Sequence, residues 1–345
     1  MKKYLLFFFA SAVFFVQTKK SFSQKDPYKY MDVIGKEFMD ISADMWDYTS
    51  SVAHGKSARK VEKRRKEVLG SIQDAQKRIN KMPDFEGDKS YRDSVLSFLT
   101  LDYNVLNNDY SKIVDMEEVA EQSYDAMEAY LTAQEMAGAK LEAAGKMMNA
   151  QERVFAGLHN VKINESKDQT SKKLEAASKV FKYYNRIYLI FFKSNKQEAY
   201  LLDALKRNDV NAVKQNMDAL AKASVDGLLR IDSVKAFNGN LSLKMTVKEC
   251  LTFYKTESTT KAQPIINFSV KKESFEKIKA AFGSKSESSR TKADVDEYNK
   301  AISEFNKAVN EANAINQEMD NKRTALINKW NQNVTAFMDK EVPKK

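Results

Sequence analysis

Few residues in this chain of 345 could carry out acid–base, nucleophilic or metal chemistry. The sequence has two histidines, His54 and His159, and one cysteine, Cys250. A di-iron centre in a helical bundle would need Glu-x-x-His motifs on facing helices. The residues three positions before the histidines are Ser51 and Ala156, so neither histidine belongs to such a motif. No histidine neighbours Cys250 in sequence, so a thiolate nucleophile would have no base beside it.

Motifs for catalysis and for cofactor binding are missing as well. The sequence contains neither a glycine-rich phosphate loop nor a nucleophile elbow. We therefore expect no enzyme activity, no metal and no cofactor. Cys250, in TVKECLTFY, is interpreted as a small buried apolar residue. The two histidines are expected at the surface, His54 in the turn AHGKS and His159 at the end of a helix.

The N-terminus has the three parts of a secretory signal peptide. MKK is followed by 13 apolar or small residues, YLLFFFASAVFFV, and then by SFS at Ser21–Ser23. The apolar run is too short to span a bilayer, so a retained anchor is the weaker alternative. We predict that residues 1–23 are removed by cleavage between Ser23 and Gln24. Lipidation would need a cysteine at that site, and Cys250 is far downstream.

Export sets the expected compartment and limits the partners. The formal net charge of +10 falls to +6 when the signal peptide and its four lysines are removed. This charge suits an anionic envelope surface but is ordinary for a basic protein. We expect the mature protein in the periplasm or on the outer cell surface, with no nucleic acid partner and no membrane span. A single cysteine cannot form an internal disulfide.

The composition and the apolar spacing both predict helices. Only four prolines and ten glycines occur, and apolar residues recur at steps of three and four from Met31 to Val52 and in most later segments. We expect Pro264 to interrupt a helix, GSKSESSR at 283–290 to be a mobile linker, and a last helix to cover about 292–338. The fold class is therefore all-α, with long antiparallel helices.

One short segment occurs twice. FEGDKS begins at Phe85 and FNGNLS begins at Phe237, 152 residues later, and eight of 23 positions around them are identical at that offset. Ser57 and Asp209, which can both cap a helix, share the same offset. The sequence thus predicts a tandem duplication of a four-helix unit, with one module at residues 24–168 and the other at 169–345.

The repeated segment is interpreted as a structural turn. Its glycines allow positive φ, the Asp or Asn that follows can accept the first N–H groups of the next helix, and its phenylalanines can close the end of a bundle. A ligand-gripping loop is the alternative, but the second copy has Asn where the first has an acid. The turn residues are Phe85, Gly87, Asp88, Phe237, Gly239 and Asn240.

Two segments are candidate interaction surfaces. The segment VFKYYNRIYLIFF (180–192) is apolar in nearly every helical direction, and it either packs between the modules or binds a partner or a second copy of the chain. Its candidate residues are Phe181, Tyr183, Tyr184, Tyr188, Phe191 and Phe192. The last helix has heptad-spaced apolar residues that could form a coiled coil, and its seam includes Asn316, Arg323 and Asn333, which would fix register or line a small polar cavity if buried. The basic stretch 58–67 is interpreted as a solvated face.

The signal peptide, the long helices and the segment PDFEGDKSYRDSVLSFL at 83–99 resemble an uncharacterised family of exported, all-helical surface proteins of Gram-negative bacteria. The resemblance implies residence at the surface or in the periplasm and supplies no functional residue. From the sequence we expect a non-enzymatic envelope protein that binds a protein or a glycan. A membrane-active helical protein and a periplasmic carrier of small ligands are the alternatives.

Overall fold

The computed structural model describes residues 26–109, 119–163 and 168–343, and in these ranges helices are joined by turns, without a β-strand. The prediction of an all-α fold is therefore confirmed. The predicted signal peptide and its cleavage site lie outside the described residues. Within the described ranges, no helix combines the length and the hydropathy needed to cross a membrane.

Long α-helices follow one another, with π-helical turns after two of them and one 3-10 turn. The α-helices are α1 Pro27–Ala53, α2 Ala58–Asn80, α3 Ser90–Asn104, α4 Tyr124–Leu158, α5 Gln169–Arg207, α6 Val210–Asp232, α7 Ser242–Thr256, α8 Ala262–Ser284 and α9 Lys292–Glu341. The π turns are Val105–Asp109 and Glu257–Lys261, and the 3-10 turn is Glu287–Ser289.

The first compact unit comprises residues up to 186 together with 334 onwards. In it α1 packs on α2, α2 on α3, and α3 on α4. Helix α1 begins where Asp26 accepts a hydrogen bond from the Tyr28 amide at 2.9 Å and Pro27 occupies the first turn, both strong helix-start signals. Its predicted stripe, from Met31 to Val52, forms part of the core.

The second compact unit comprises residues 187–333. In it α6 packs on α7 and also contacts α8. These units divide the chain differently from the predicted modules 24–168 and 169–345, because the division falls inside α5 at residue 186 and inside α9 at residue 333. The predicted break between modules coincides with the segment between α4 and α5, and residues 164–167 of that segment are not described.

The two parts of the chain that carry the repeated turn have the same helix bounds at an offset of 152 residues. Helices α2 and α6 both have 23 residues, α3 and α7 both have 15, and a five-residue π turn follows each of the latter. The start positions 58 and 210, 90 and 242, and 105 and 257 each differ by 152.

The repeated turn has the same backbone in both copies. Gly87 has a φ of 86° and Gly239 a φ of 79°, in the left-handed region that favours glycine. Asp88 accepts from the amide of Ser90 at 2.8 Å, and Asn240 accepts from the amide two residues on at 3.0 Å. Phe85 is buried against Phe155, with ring centroids 5.3 Å apart, whereas Phe237 is half-buried.

One predicted interruption in the C-terminal third was wrong and one is present. The helix continues through Pro264, because the π turn just before it replaces the regular i−4 bonds with which a proline ring conflicts, and the Ala262 amide donates to Glu257 instead. The predicted break at 283–290 is present: α8 ends at Ser284, α9 begins at Lys292, and the residues between them form the turn of a helical hairpin. In that hairpin Phe282 stacks on Tyr298 at 4.4 Å, and Arg290 lies 4.4 Å above the same phenyl ring.

Candidate functional site

A buried ionic cluster lies in the second unit at the π turn. We call Glu198, Glu257 and Arg323 the charged cluster: Glu198 is on α5, Glu257 begins the π turn and Arg323 is on α9. Arg323 Nε donates to Glu198 Oε1 at 2.6 Å, and Arg323 Nη2 donates to Glu257 Oε1 at 2.5 Å. Both carboxyl side chains are at most 6% exposed. The third guanidinium nitrogen, Nη1, donates to Asp320 at the surface.

The pKa of Glu198 in the charged cluster lies well above its ordinary value. Burial, together with the neighbouring Glu257, raises the pKa of Glu198 to about 8 against the opposing effect of Arg323. The Glu198 side chain also hydrogen-bonds that of Glu257. A protonated Glu198 can donate to the Glu257 side chain, whose Oε2 is buried and has no other partner among the described residues. A carboxyl group that titrates near neutral pH is a common property of functional sites.

The two glutamates of the charged cluster have apolar residues 152 positions earlier, whereas Arg323 has Ser171. At an offset of 152, Glu198 corresponds to Trp46 and Glu257 corresponds to Val105, which also begins a π turn. Trp46 is 7% exposed and Val105 is 1% exposed. Burying an ion pair costs several kcal/mol of desolvation per ion. The helical scaffold therefore forms without these charges, and their presence in the second unit calls for a separate explanation.

Two adjoining cavities lie beside the charged cluster. A cavity of about 30 Å³, the size of one or two waters, has Glu257 and Arg323 in its wall. A cleft of about 250 Å³ shares the wall residues Leu205, Ile265 and Asn316 with it. Six of the ten residues that line the cleft are apolar, and the others are Lys206, Asn208, Ser269 and Asn316. The arrangement could hold a small molecule.

A second candidate site is the solvent-facing side of α4 in the first unit. Met136 is 61% exposed, Met147 72%, Val154 50% and Leu158 67%. Their spacings of 11, 7 and 4 residues place all four on one helical face. We call these four residues the outer stripe. Between them lie exposed small residues, Ala139, Ala143 and Ala150 among them.

The opposite face of α4 belongs to the core, so this helix is apolar on two sides. Met127, Leu141 and Met148 are among its buried side chains. The core face also buries Glu152, and burial raises the pKa of this carboxyl to about 7 against the opposing effect of Arg153. A helix that is apolar on two faces packs on two partners. Within the described part of the chain, the outer stripe is the face that stays open to solvent.

The three residues considered for chemistry from the sequence, His54, His159 and Cys250, make contacts within the fold. Contrary to prediction, the His54 side chain is only 6% exposed; its Nδ1 lies 2.7 Å from Asp339 Oδ1. His159 ends α4 as expected, but its ring is half-buried, with its centroid 4.7 Å from that of Phe85. Cys250 is fully buried, and burial raises its thiol pKa to about 12, so it is not a nucleophile at neutral pH.

The aromatic segment 180–192 lies in the core. Most of its large side chains are at most 3% exposed, and Tyr183 is half-buried. The aromatic residues concerned are Phe181, Tyr184, Tyr188, Phe191 and Phe192. In the second unit the ring of Phe191 stacks on Trp330 at 4.9 Å. This segment therefore presents no large exposed aromatic patch to a partner.

Of the polar residues in the seam of the last helix, Arg323 and Asn333 are half-buried and Asn316 is exposed. Arg323 belongs to the charged cluster, and Asn316 lines both cavities with Arg323 beside it in the smaller one. Asn333 donates to the Thr246 hydroxyl at 2.6 Å. The sequence signal for the charged cluster was thus Arg323 at a seam position; its partners on α5 and the π turn had no distinguishing signal. The outer stripe could have been predicted from the spacing of its residues, but the sequence analysis did not identify it.

Among the residues that the structure describes, no three histidine, cysteine or carboxylate side chains are grouped so that they could hold a metal ion. Comparison of the chain with protein-family models, with curated proteins and with solved structures gave no match.

Proposed function

We propose that this protein is an exported, non-enzymatic helical protein of the cell envelope that acts by binding another protein. The observation that carries the proposal is the outer stripe. Four large apolar side chains, each at least half exposed, lie along one face of a single helix whose other face is core. Exposed apolar surface of this kind is typical of a contact site, and methionines adapt readily to a partner's shape.

A protein partner fits the outer stripe better than a glycan does. The stripe consists of aliphatic and thioether side chains, which cannot pair with the hydroxyl groups of a sugar, and unpaired polar groups cost free energy when buried. Glycan-binding sites would also use exposed aromatic rings, and in the described part of the chain Tyr200 is the one aromatic side chain among the exposed large apolar residues.

We also infer that the helical scaffold arose by tandem duplication of a four-helix unit. The equal helix lengths, the paired π turns and the two matching glycine turns, all at an offset of 152, support this inference. The outer stripe belongs to the first copy and the charged cluster to the second. The two copies would therefore share a scaffold and differ in what they bind.

Export is supported by the N-terminal sequence. Mass spectrometry of the secreted chain should find Gln24 as its first residue. Protease treatment of intact cells, with a tag at the C-terminus and a periplasmic protein as control, then separates surface from periplasm. Loss of the tag while the control survives places the protein outside; survival of both until the outer membrane is opened places it in the periplasm. A chain that retains residues 1–23 in the cytoplasm would refute export.

Photo-crosslinking in the producing cells tests the binding function. A photo-reactive amino acid replaces Met147 in the outer stripe or, as the matched control, Met39, which is 54% exposed on α1. We expect discrete adducts from position 147 and none from position 39. Equal adducts from both positions, or none from either, would contradict binding through the outer stripe.

A carrier of small ligands is the second candidate function, and the cleft of about 250 Å³ favours it. This volume is slightly below the usual range for drug-sized ligands, so a carried molecule would be small. Thermal shift with a panel of small amphipathic molecules tests this function, because a ligand that binds the folded state raises the melting temperature. Phenylalanine in place of Ser269 in the cleft wall should abolish such a shift. A shift that persists in this variant would place the ligand elsewhere.

A further inference from the structure

We infer that the outer stripe is the interface of a homodimer in which α4 helices of two copies pack antiparallel, centred on Met147. The inference rests on the proposed function and names its partner as a second copy of this chain. Three properties of α4 lead to it: the spacing of the stripe, the distribution of charge beside it, and its length.

The two ends of the stripe are symmetric about Met147, whereas Val154 is matched by the exposed Lys140, seven residues before the centre. Met136 lies 11 residues before it and Leu158 lies 11 residues after it. Eleven residues are close to three helical turns, so the three side chains stay on one face. In an antiparallel pair centred on Met147, each Met136 faces the Leu158 of the other copy, and the two Met147 side chains meet at the two-fold axis. A symmetric dimer requires this self-complementary arrangement.

The charges along one flank of the stripe change sign at its centre. Glu135 and Glu142 lie on this flank before Met147, and Lys146 and Arg153 lie on it at or after the centre. Within one helix Lys146 also pairs with Glu142 at 2.7 Å. A two-fold axis through Met147 brings this flank against the same flank of the other copy in reverse. Acidic and basic halves then face each other, whereas a parallel pair would place this flank against the opposite one and lose the match. The Ala143 and Ala150 positions allow close approach of the two helices.

The length of the stripe sets the strength of the contact. From Met136 to Leu158 the helix rises about 33 Å, and a strip about 10 Å wide buries about 330 Å² on each copy. The total of about 660 Å² is below the roughly 1,200 Å² of stable complexes. The dimer should therefore be weak, form at high protein concentration and dissociate on dilution.

Disulfide trapping tests both the partner and the orientation. Cys250 is fully buried and can remain in place. Met147→Cys should form a disulfide-linked dimer under mild oxidation, because a residue at the two-fold axis meets itself. Met136→Cys should not link to itself but should link to Leu158→Cys when the two variants are mixed. Met39→Cys, exposed on α1, is the control and should give at least ten-fold less dimer.

The opposite pattern would overturn the inference. If Met136→Cys links to itself as efficiently as Met147→Cys, the helices pair in parallel. If Met147→Cys gives no more dimer than the α1 control, the stripe does not meet a second copy. Sedimentation equilibrium of the unmodified chain provides a second measurement. A monomer at all concentrations up to several hundred micromolar refutes the dimer, and Met147→Glu should shift the dimerisation constant at least ten-fold if the dimer exists.

These outcomes are separable from those of the proposed function. Adducts at position 147 in cells that contain a different protein, with a purified chain that stays monomeric, support the binding function and refute the homodimer. Adducts of twice the mature mass support both. Binding of the unmodified chain to vesicles of anionic lipid, lost in Met147→Glu, would assign the stripe to a membrane surface and refute both.

Discussion

The stability of the second unit should fall as the pH rises from 5 to 8, and Glu198 should cause the fall. Glu198 is 2% exposed, and its pKa is about 8 in the folded chain. In the unfolded chain its pKa is near the ordinary value of 4.5. Between these values the folded state holds a proton that the unfolded state has released. Raising the pH therefore favours the unfolded state.

The size of the effect follows from the two pKa values. A group whose pKa is raised on folding contributes stability that is complete below the unfolded pKa and is lost as the pH rises towards the folded one. Each pH unit between them costs up to about 1.4 kcal/mol for one proton. Between pH 5 and pH 8 the free energy of unfolding of this unit should fall by about 3 kcal/mol. Gln in place of Glu198 should remove most of this dependence, since the amide cannot ionise.

The two tryptophans of the chain make the assay specific for each unit. Trp330, 2% exposed, lies in the second unit, and Trp46, 7% exposed, lies in the first. In a Trp46→Phe background, urea unfolding followed by fluorescence reports on the second unit alone. The experiment compares this background with and without Glu198→Gln at pH 5, 6, 7 and 8. A Trp330→Phe background reports on the first unit and is the control, because Glu198→Gln should leave its pH dependence unchanged.

Two results would refute the reasoning. If the stability of the second unit is constant or rises between pH 5 and pH 8, Glu198 does not hold a proton in the folded chain. If the fall is present but persists in Glu198→Gln, another group causes it. The first unit has its own candidates, because burial raises the pKa of Asp102 to about 7 and that of Glu152 to about 7. The Trp46 signal should show their effect independently.

Four substitutions test the packing argument. Arg323→Met leaves two buried carboxyl groups without their cation and should cost about 3–5 kcal/mol, measured by the same urea titration; a loss below 1 kcal/mol would mean that the cluster is hydrated. Gly227→Ala places a Cβ 2.9 Å from Leu251 Cδ2 and should cost about 1–3 kcal/mol, while Gly70→Ala, in helical open space, should stabilise by about 0.5–1 kcal/mol; equal effects would contradict this. Gly87→Ala places an alanine at a φ of 86°, in the left-handed region. It should lower the free energy of unfolding by about 1–2 kcal/mol, unless the turn changes its conformation.

Local features of the fold were predictable from the sequence because they depend on nearby residues. The left-handed backbone at Gly87 and Gly239 follows from glycine after a helix end, and the hydrogen bonds from Asp88 and Asn240 follow from their position before the next helix. The apolar stripe of α1 follows from its spacing in the same way.

Features that depend on distant residues were not predictable. Glu198 and Glu257 lie 59 residues apart in the sequence and resemble the many other acids on charged helices. Only the packing of α5 and the π turn against Arg323 distinguishes them. The prediction that Pro264 interrupts a helix was wrong for a related reason. A proline is expected to end a helix, and the π turn that accommodates this one has no recognisable sequence signal.

The outer stripe raises a different difficulty, because its pattern was present in the sequence. A helix with one apolar face belongs in a bundle, and α4 satisfies that expectation with the face that includes Met127 and Leu141. A second stripe at Met136, Met147 and Leu158 looks like additional core until the structure shows that none of the described residues covers it. The exposure of those side chains, rather than their identity, is therefore the observation from which a binding role can be argued.

The offset of 152 residues that relates the two turns bears on whether the charged cluster is needed for folding. If it were, the segment that carries the first turn would need an equivalent, yet that segment has Trp46 and Val105 in place of the two glutamates. The same comparison does not apply to the outer stripe. At this offset α4 corresponds to residues 276–310, where the chain leaves α8, turns and begins α9, so no single helix matches it. The case for the outer stripe therefore rests on the exposure of its own side chains.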